Sequence, residues 1–177
     1  MAMERILVVS AIAALLLAAQ PLRAQSAPAA NPLDAVPEKM PFDVPYGAPV
    51  TLERAQALIS AAVAEAKKRD WKMNVAVVDS GGNLVAFQRM DGAQLASISI
   101  AEHKARAAVT YRRETKAFEY GVQLNDFKYL MTLDGVIASR GGIPLVEAGK
   151  MIGAIGCSGG TGSQDEVTCK AGVASMK

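Results

Sequence analysis

The stretch that decides the fold is residues 73–89, Met-Asn-Val-Ala-Val-Val-Asp-Ser-Gly-Gly-Asn-Leu-Val-Ala-Phe-Gln-Arg. Two short runs rich in β-branched and apolar residues, Met73–Asp79 and Leu84–Arg89, are predicted strands. Residues 80–83 between them are Ser-Gly-Gly-Asn, a composition typical of a tight turn. The stretch therefore predicts a β-hairpin.

The same pattern recurs nearer the C-terminus. Gly142–Val146 and Met151–Cys157 are predicted strands, joined by a turn over residues 147–150. Segments with helical periodicity lie before, between and after the two hairpins. Hairpins set between helices favour an α/β (α+β) fold with a central antiparallel sheet flanked by helices, and argue against a doubly wound nucleotide-binding fold.

The helices have recognisable ends. Thr51 is a predicted N-cap, and apolar residues at helical spacing follow it as far as the basic triplet 67–69. The other predicted helices are Leu95 to about Arg112, Lys116–Tyr120 with Thr115 as cap, and a last helix with Ser163 as cap. Residues 121–133 remain unassigned.

Composition excludes several functions. The chain has 177 residues, a net charge of +2 and 5% aromatic residues, which argues against nucleic acid as a partner. One histidine and two cysteines are too few for a zinc centre without carboxylates. The Cys-x-x-Cys-His motif of covalent haem attachment does not occur.

The N-terminus has the pattern of a signal peptide, residues 1–24. Arg5 precedes an apolar run over residues 6–19, and small residues follow Pro21, which predicts cleavage near Ala24 or Ser26. An uncleaved membrane anchor is the alternative, disfavoured because a spanning helix needs about 20 apolar residues. We expect a periplasmic or secreted protein with no stable membrane insertion after cleavage.

Residues 25–50 form a predicted extended, proline-rich arm ahead of a folded domain over residues 51–177. Prolines every four or five residues disfavour both helices and sheet ladders. The arm is either a solvated linker or, through its apolar side chains, a contact to a neighbouring subunit. The arm prolines are Pro28, Pro32, Pro37, Pro41, Pro45 and Pro49.

Cys157 and Cys169 admit more than one interpretation. Export would place both in an oxidising compartment, where a disulfide persists. Two buried thiols acting as small apolar side chains are an equally good interpretation. A nucleophilic cysteine is a third, and His103 is the only histidine that could serve as its base.

Four motifs, in order along the chain, resemble those of the GlcG/HbpS family of haem-binding proteins, also called haem-degrading domains, to which the C-terminal domain of PduO-type proteins is related. The resemblance covers about Thr51 to the C-terminus. The motifs are Val75-Ala76-Val77-Val78-Asp79-x-x-Gly82-x-Leu84, Lys104-Ala105-x-x-Ala108, Gly141-Gly142-Ile143-Pro144 and Gly153-Ala154-Ile155-Gly156-x-Ser158-Gly159-Gly160.

The resemblance implies a profilin-like domain that assembles into homo-oligomers. It also implies non-covalent haem binding, with haem-linked redox sensing or haem degradation in some members and a corrinoid, less favoured here, in others. Members differ in their iron ligand, so the resemblance does not assign one to this chain.

His103 is the candidate iron ligand, because imidazole is a common proximal ligand of haem. Helical spacing places Ala107 and Tyr111 on the same stripe, where a small residue leaves room for a planar ring and a tyrosine could stack on it or offer an oxygen ligand. Lys104 and Arg106 flank His103 and are predicted to pair with propionates, with a structural role for Lys104 as the alternative. These five residues are the predicted cofactor site.

Other features are weaker candidates. Met90, Met131 and Met151 are alternative axial ligands, although methionine more often fills the core. The Gly-rich segment 158–163 before the last helix is either an anion cradle or a tight turn. Arg112 and Arg113 either bind an anion or lie at a helix end for its dipole. No pair of carboxylates is assigned a catalytic role.

The sequence therefore predicts an exported haem-binding protein that sequesters, senses or degrades haem. A binding protein is favoured over an enzyme, with slow haem degradation left open. One alternative is an accessory or sensor-partner subunit that docks through its arm onto a periplasmic oxidoreductase or receptor. Another is a small enzyme that holds an organic acid at the Gly-rich turn.

Overall fold

The computed structural model describes residue 31 and residues 34–176. Residues from Glu38 onward form one compact unit. The predicted signal peptide and the first part of the arm lie outside the described residues. None of the helices in the described part is long and apolar enough to cross a bilayer.

The elements, in order, are α1 (Leu52–Lys68), β1 (Asn74–Asp79), β2 (Leu84–Arg89), α2 (Ala96–Thr110), α3 (Lys116–Gln123), a 3₁₀ helix (Lys128–Thr132), β3 (Gly142–Glu147), β4 (Lys150–Ser158) and α4 (Gly162–Ala174).

The four strands form one antiparallel sheet in the order β2-β1-β4-β3. Each predicted hairpin forms, and the two hairpins join through β1 and β4, with Val75 opposite Cys157 and Val77 opposite Ile155. The predicted fold class, a central antiparallel sheet flanked by helices, is confirmed.

Alternate residues of β1 point into two separate cores. Val75 and Val77 lie in the core shared with α1 and α4, whereas Ala76 and Val78 lie in the core shared with α2. The near-continuous apolar run of this strand follows from burial on both faces. The domain is therefore a three-layer structure, with α1 and α4 on one side of the sheet and α2 on the other.

The core on the α2 side is built from small residues, which lets the helix approach the sheet closely. Gly142 and Gly156 are partners on adjacent strands. A Cβ atom on Gly156 would lie 2.0 Å from the carbonyl oxygen of Ala101, and one on Gly142 would lie 2.2 Å from that of Lys104. Only glycine fits at these two positions, because the obstructing atoms belong to the backbone of α2.

Two predicted caps differ from the structure. The last helix is capped by Thr161, not Ser163, because Thr161 and Gln164 form a capping box in which each side chain binds the other's backbone N–H. Thr115 makes no capping bond. Its hydroxyl instead accepts a hydrogen bond from the backbone N–H of Gly142, so it ties the start of α3 to β3.

The last part of the predicted arm belongs to the folded unit. Tyr46 forms a parallel bridge with Met151 of β4, and the N–H of Val50 donates to the carbonyl of Ile152. The phenol of Tyr46 also donates to the carbonyl of Val109 at the end of α2. Sheet pairing in a proline-rich segment was not expected, and it uses groups that proline leaves free: the N–H groups of Gly47 and Val50 donate to β4, and the carbonyl of Pro45 accepts from Met151.

Cys157 and Cys169 form a disulfide bond with their Cα atoms 5.7 Å apart. Both residues are fully buried in the core between the sheet and α4. Of the three interpretations of the cysteines, the structure corresponds to the bridge. The bond ties β4 to α4, and closing such a loop stabilises a fold by about 3 kcal/mol.

The close approach of α2 to the sheet predicts that Gly156→Ala destabilises the protein by at least about 3 kcal/mol, because the new methyl group overlaps backbone that cannot move independently. Gly149→Ala is the control. Gly149 has φ of 74° but nothing within 4 Å of its added Cβ, so it should cost about 1–2 kcal/mol. Urea unfolding measures both, and equal losses would contradict the steric explanation.

Candidate functional site

The predicted stripe on α2 is present, but its members differ in their surroundings. His103 is half-buried, and no hydrogen bond or ion pair engages its ring within residues 34–176. Ala107 is buried. Tyr111 donates its hydroxyl proton to the carbonyl of Asp134 at 2.6 Å and its ring meets Phe118 edge-on. His103 is thus the one member of the stripe whose polar atoms are uncommitted.

Arg106 lies on the exposed side of α2. Its guanidinium pairs with Glu102, one turn earlier, at 3.1 Å. Exposed pairs of this kind contribute little stability, typically below about 1 kcal/mol. The side chain is therefore available to an anion that approaches the helix from solvent.

Lys104 is different, because its side chain is 1% exposed. Its ammonium group lies 2.7 Å from the carboxylate of Asp165 on α4, which is also buried. A propionate could reach this ammonium only by breaking the ion pair and opening the core. The propionate-pairing role predicted for Lys104 does not fit this arrangement, whereas the structural alternative does.

The ion pair links α2 on one face of the sheet to α4 on the other, and it lies beside the N-terminal end of β3. Gly141, with φ of 115°, lies beside it, and a Cβ atom there would be 2.8 Å from Cβ of Asp165 and 3.3 Å from Nζ of Lys104. Burial raises the pKa of the Asp165 carboxyl, and Lys104 together with the N–H groups of Gly160 and Gly159 acts in the opposite direction. Gly141 therefore has both conformational and steric reasons to be glycine.

Two backbone N–H groups of the Gly-rich turn before α4 are already bonded to side chains of α4. The N–H of Gly160 donates to one carboxylate oxygen of Asp165, and the N–H of Thr161 donates to the side-chain carbonyl of Gln164. These are donors that an external carboxylate or phosphate would need. The structure corresponds to the tight-turn interpretation. The alternative of an enzyme that holds an organic acid at this turn is therefore not supported by the turn's geometry.

A cluster of charged side chains surrounds the buried pair. Arg140 donates to Glu119 through its backbone N–H, Nε and Nη2, and Lys116 and Lys170 both bind Glu166. Hydrogen bonds from Arg140 lower the pKa of Glu119. Burial opposes ionisation of Glu166, but its two lysines lower the pKa. These carboxylates are paired anions rather than poised acids.

Arg112 and Arg113 bind the arm rather than an anion. The guanidinium of Arg113 lies 3.3 Å from the ring centroid of Phe42, and that of Arg112 lies 5.7 Å from the ring of Tyr46. Arg112 also donates to the carbonyl of Val44. Cation–π contacts therefore fix residues 42–46 to the C-terminal end of α2.

The alternative axial ligands are scattered. Met151 is fully buried in the core beneath α2, Met90 packs against the opposite core and Met131 is exposed. Within the described residues, no group of three or more His, Cys, Asp or Glu side chains is arranged to hold a metal ion. Of the candidate ligands predicted from the sequence, His103 is the one whose donor atoms are uncommitted within the described residues.

A haem site needs both an axial ligand for the iron and side chains that cover the faces of the ring. The uncommitted imidazole of His103 suits an axial ligand, but Ala107 is buried, so the predicted space for a flat ring above it is not present. A groove of about 620 Å³ lies between α1 and β2, and its lining residues offer no imidazole, phenol or sulfur. The donor set on α2 fits haem, and the described chain alone does not enclose it.

Asp79 of the first motif stabilises the predicted turn over residues 80–83 through its side chain, a role that sequence reasoning did not assign. Asp79 accepts hydrogen bonds from the N–H groups of Gly81 and Asn83, while Gly82 has φ of 82°. The Asp-x-x-Gly spacing is a signal for such a side-chain-to-backbone turn. Asp165 was also missed as the partner of Lys104, and no local pattern links two residues on different helices.

These observations define a three-layer α+β domain with a four-stranded antiparallel sheet and one uncommitted imidazole on its α2 surface. The chain belongs to the family of HbpS-like haem degrading proteins, whose model matches residues 50–174.

Individual relatives agree with this assignment. Protein GlcG of Escherichia coli strain K12 is 41% identical over 106 residues, which are 60% of this chain and 78% of GlcG. A double mutant of HbpS from Streptomyces reticuli superposes with a TM-score of 0.69 and 32% identity, covering 85% of this chain and 99% of that one. The crystal structure of a haem complex of PduOC superposes with a TM-score of 0.66 and 29% identity, covering 71% and 94%.

The buried ion pair predicts that Lys104→Met costs about 3–5 kcal/mol of stability, because it leaves the Asp165 carboxylate buried without its cation. Lys104→Met with Asp165→Asn should recover part of that loss. Lys128→Met, which removes an exposed lysine paired with exposed Asp126, is the control and should change little. Urea unfolding at pH 7 measures all three, and a loss below about 1 kcal/mol for Lys104→Met would contradict a structural role.

Proposed function

We propose that this chain binds haem non-covalently and that the imidazole of His103 is its axial ligand. The observation that carries the proposal is the state of His103, half-buried on the α2 surface with no hydrogen bond or ion pair to its ring within residues 34–176. Membership of a haem-degrading family and likeness to a protein crystallised with haem support the same ligand.

The residues around His103 have distinct tasks in this proposal. Arg106 exchanges its exposed contact with Glu102 for a propionate, whereas Ala107 is buried and offers the ring no surface. Tyr111 positions the segment around Asp134 beside the stripe through its hydrogen bond. Lys104 contributes by holding α2 to α4. Bound haem would supply redox chemistry that the side chains lack.

Sequestration or sensing is a better interpretation than catalysis. The carboxylates of Asp165, Glu166 and Glu119 each lie in an ion pair. Haem degradation would require an external reductant or peroxide, since no side chain of the chain is an electron source. A corrinoid is the less favoured ligand.

We also propose that haem binding involves a homo-oligomer. His103 does not line the groove between α1 and β2, and a ring bound at this half-buried side chain would leave one face in water. Exposed apolar side chains follow α3 in the chain and would suit a contact between copies. They are Leu124, Tyr129, Met131 and Leu133.

Hemin titration of residues 25–177 tests the proposal. We expect a saturable change of the Soret band near one haem per chain, and His103→Ala should shift the band and weaken binding at least about tenfold, as loss of an axial ligand implies. Arg106→Gln should weaken binding less and leave the band position unchanged. Lys68→Gln, an exposed change on α1 on the opposite side of the sheet, is the control.

Two results would overturn parts of the proposal. Saturable binding with an unchanged spectrum in His103→Ala would keep haem but move the iron ligand to another residue, such as Tyr111 or a methionine. Absence of any saturable change would remove haem and restore the accessory-subunit interpretation, which predicts co-purification of a second protein through the arm.

Export is a separate proposal, supported by the signal-peptide pattern and by the Cys157–Cys169 disulfide, a bond typical of oxidising compartments. Expression of the full chain in a Gram-negative host should place it in the periplasm. Its intact mass should correspond to cleavage near Ala24 or Ser26 and rise by about two protons on reduction, since reduction adds one hydrogen to each sulfur. A full-length cytoplasmic product would contradict export.

A further inference from the structure

Helix α4 differs from α1 in the kind of side chain that it buries. All six buried residues of α1 are apolar, whereas no aliphatic or aromatic side chain of residues 162–174 is buried. Val167 is 39% exposed and Val173 is only half-buried. Because the hydrophobic effect scales with the apolar area removed from water, it holds α4 on the domain less firmly than α1. The buried residues of α4 are Asp165, Glu166, Thr168, Cys169 and Gly172.

Ion pairs attach the first turns of α4. Asp165 pairs with Lys104 of α2 at 2.7 Å, and Glu166 pairs with Lys116 of α3 at 3.1 Å. The attraction within a buried ion pair is largely offset by the cost of removing both charges from water. These contacts therefore fix where α4 lies, but they add little net free energy to its docking.

The Cys157–Cys169 disulfide is the covalent tie between α4 and the sheet. Cys169 lies in the middle of the helix, and Cys157 lies on β4, 12 positions earlier in the chain. A cross-link of this kind stabilises the folded chain without burying more apolar surface, because it restricts the open states. Two thiols at the same positions would supply no such restraint, so the docking of α4 depends on the state of these sulfurs.

We infer that α4 is a redox-controlled element, which stays docked on the sheet while the disulfide is intact and detaches as a unit when the disulfide is reduced. The reductant is a dithiol, which supplies two electrons and two protons. One of its thiolates attacks a sulfur of the bridge, its second thiol closes the reductant's own disulfide, and both cysteines leave as thiols. Both sulfurs are fully buried, so the dithiol reaches them when α4 opens.

Detachment of α4 would act on both faces of the sheet. On one face it uncovers Leu58 and Ile155, on which Gly172 packs so closely that an added Cβ atom would lie 2.9 Å from each. On the other face it removes Asp165 and leaves the ammonium group of Lys104 buried without its anion. The state of two sulfurs is thereby coupled to α2, the helix that carries His103. Haem is not needed for this coupling.

Amide hydrogen exchange of residues 25–177, read by mass spectrometry of peptides, tests the inference. The protein is reduced with dithiothreitol in urea and refolded in the presence of the dithiol. We expect exchange of the α4 amides to accelerate at least about tenfold, as loss of a cross-link implies, and exchange of the α1 and β1 amides to change less than about threefold. The double variant Cys157→Ala with Cys169→Ala should show the same fast exchange of α4 with and without dithiothreitol.

Leu58→Ala is the matched control, because it removes a buried apolar side chain beneath α4 but leaves the disulfide intact. It should accelerate exchange in α1 and the strands at least as much as in α4. Unchanged exchange of α4 in the reduced protein and in the double variant would overturn the inference. Equal acceleration in all elements, or loss of protection throughout, would also overturn it, because the disulfide would then stabilise the whole domain rather than dock α4.

Discussion

The contact between Lys104 and Asp165 holds the two helical layers in register across the end of the sheet. A buried ammonium and a buried carboxylate each need a partner, and here each is the other's, at 2.7 Å. Their side chains meet only because α2 lies close to the sheet and α4 begins at a tight turn. The pair therefore helps to fix α2 relative to α4, and with it the position of His103 on the surface of α2.

The glycines of the two C-terminal motifs make this contact between α2 and α4 possible. Gly142 and Gly156 let the backbone of α2 approach the strands, and Gly141 leaves space for the ion pair. Gly160 donates to the carboxylate from the other side. Motifs that mark a haem-binding family thus describe mainly how the domain is assembled, while the candidate ligand His103 lies just outside them.

Short sequence patterns correctly predicted the elements that depend on neighbouring residues. The caps and periodicity of α1 and the turn residues of both hairpins are contained in a few neighbouring residues, and these elements have the expected bounds to within about a residue or two. Helical spacing also placed Ala107 and Tyr111 on the side of His103. Contacts between distant parts of the chain were not predictable in this way. Neither the Lys104–Asp165 pair nor the pairing of the arm with β4 leaves a sequence pattern, since each depends on packing of whole elements.

The pairing of residues 45–50 with β4 also sets an order of events. The arm is synthesised well before Met151 and Ile152, to which it bonds. Until β4 exists, the backbone of the arm has no strand to join, and its prolines keep it from forming a helix of its own. The arm can therefore complete its edge of the domain only after β4 has been synthesised.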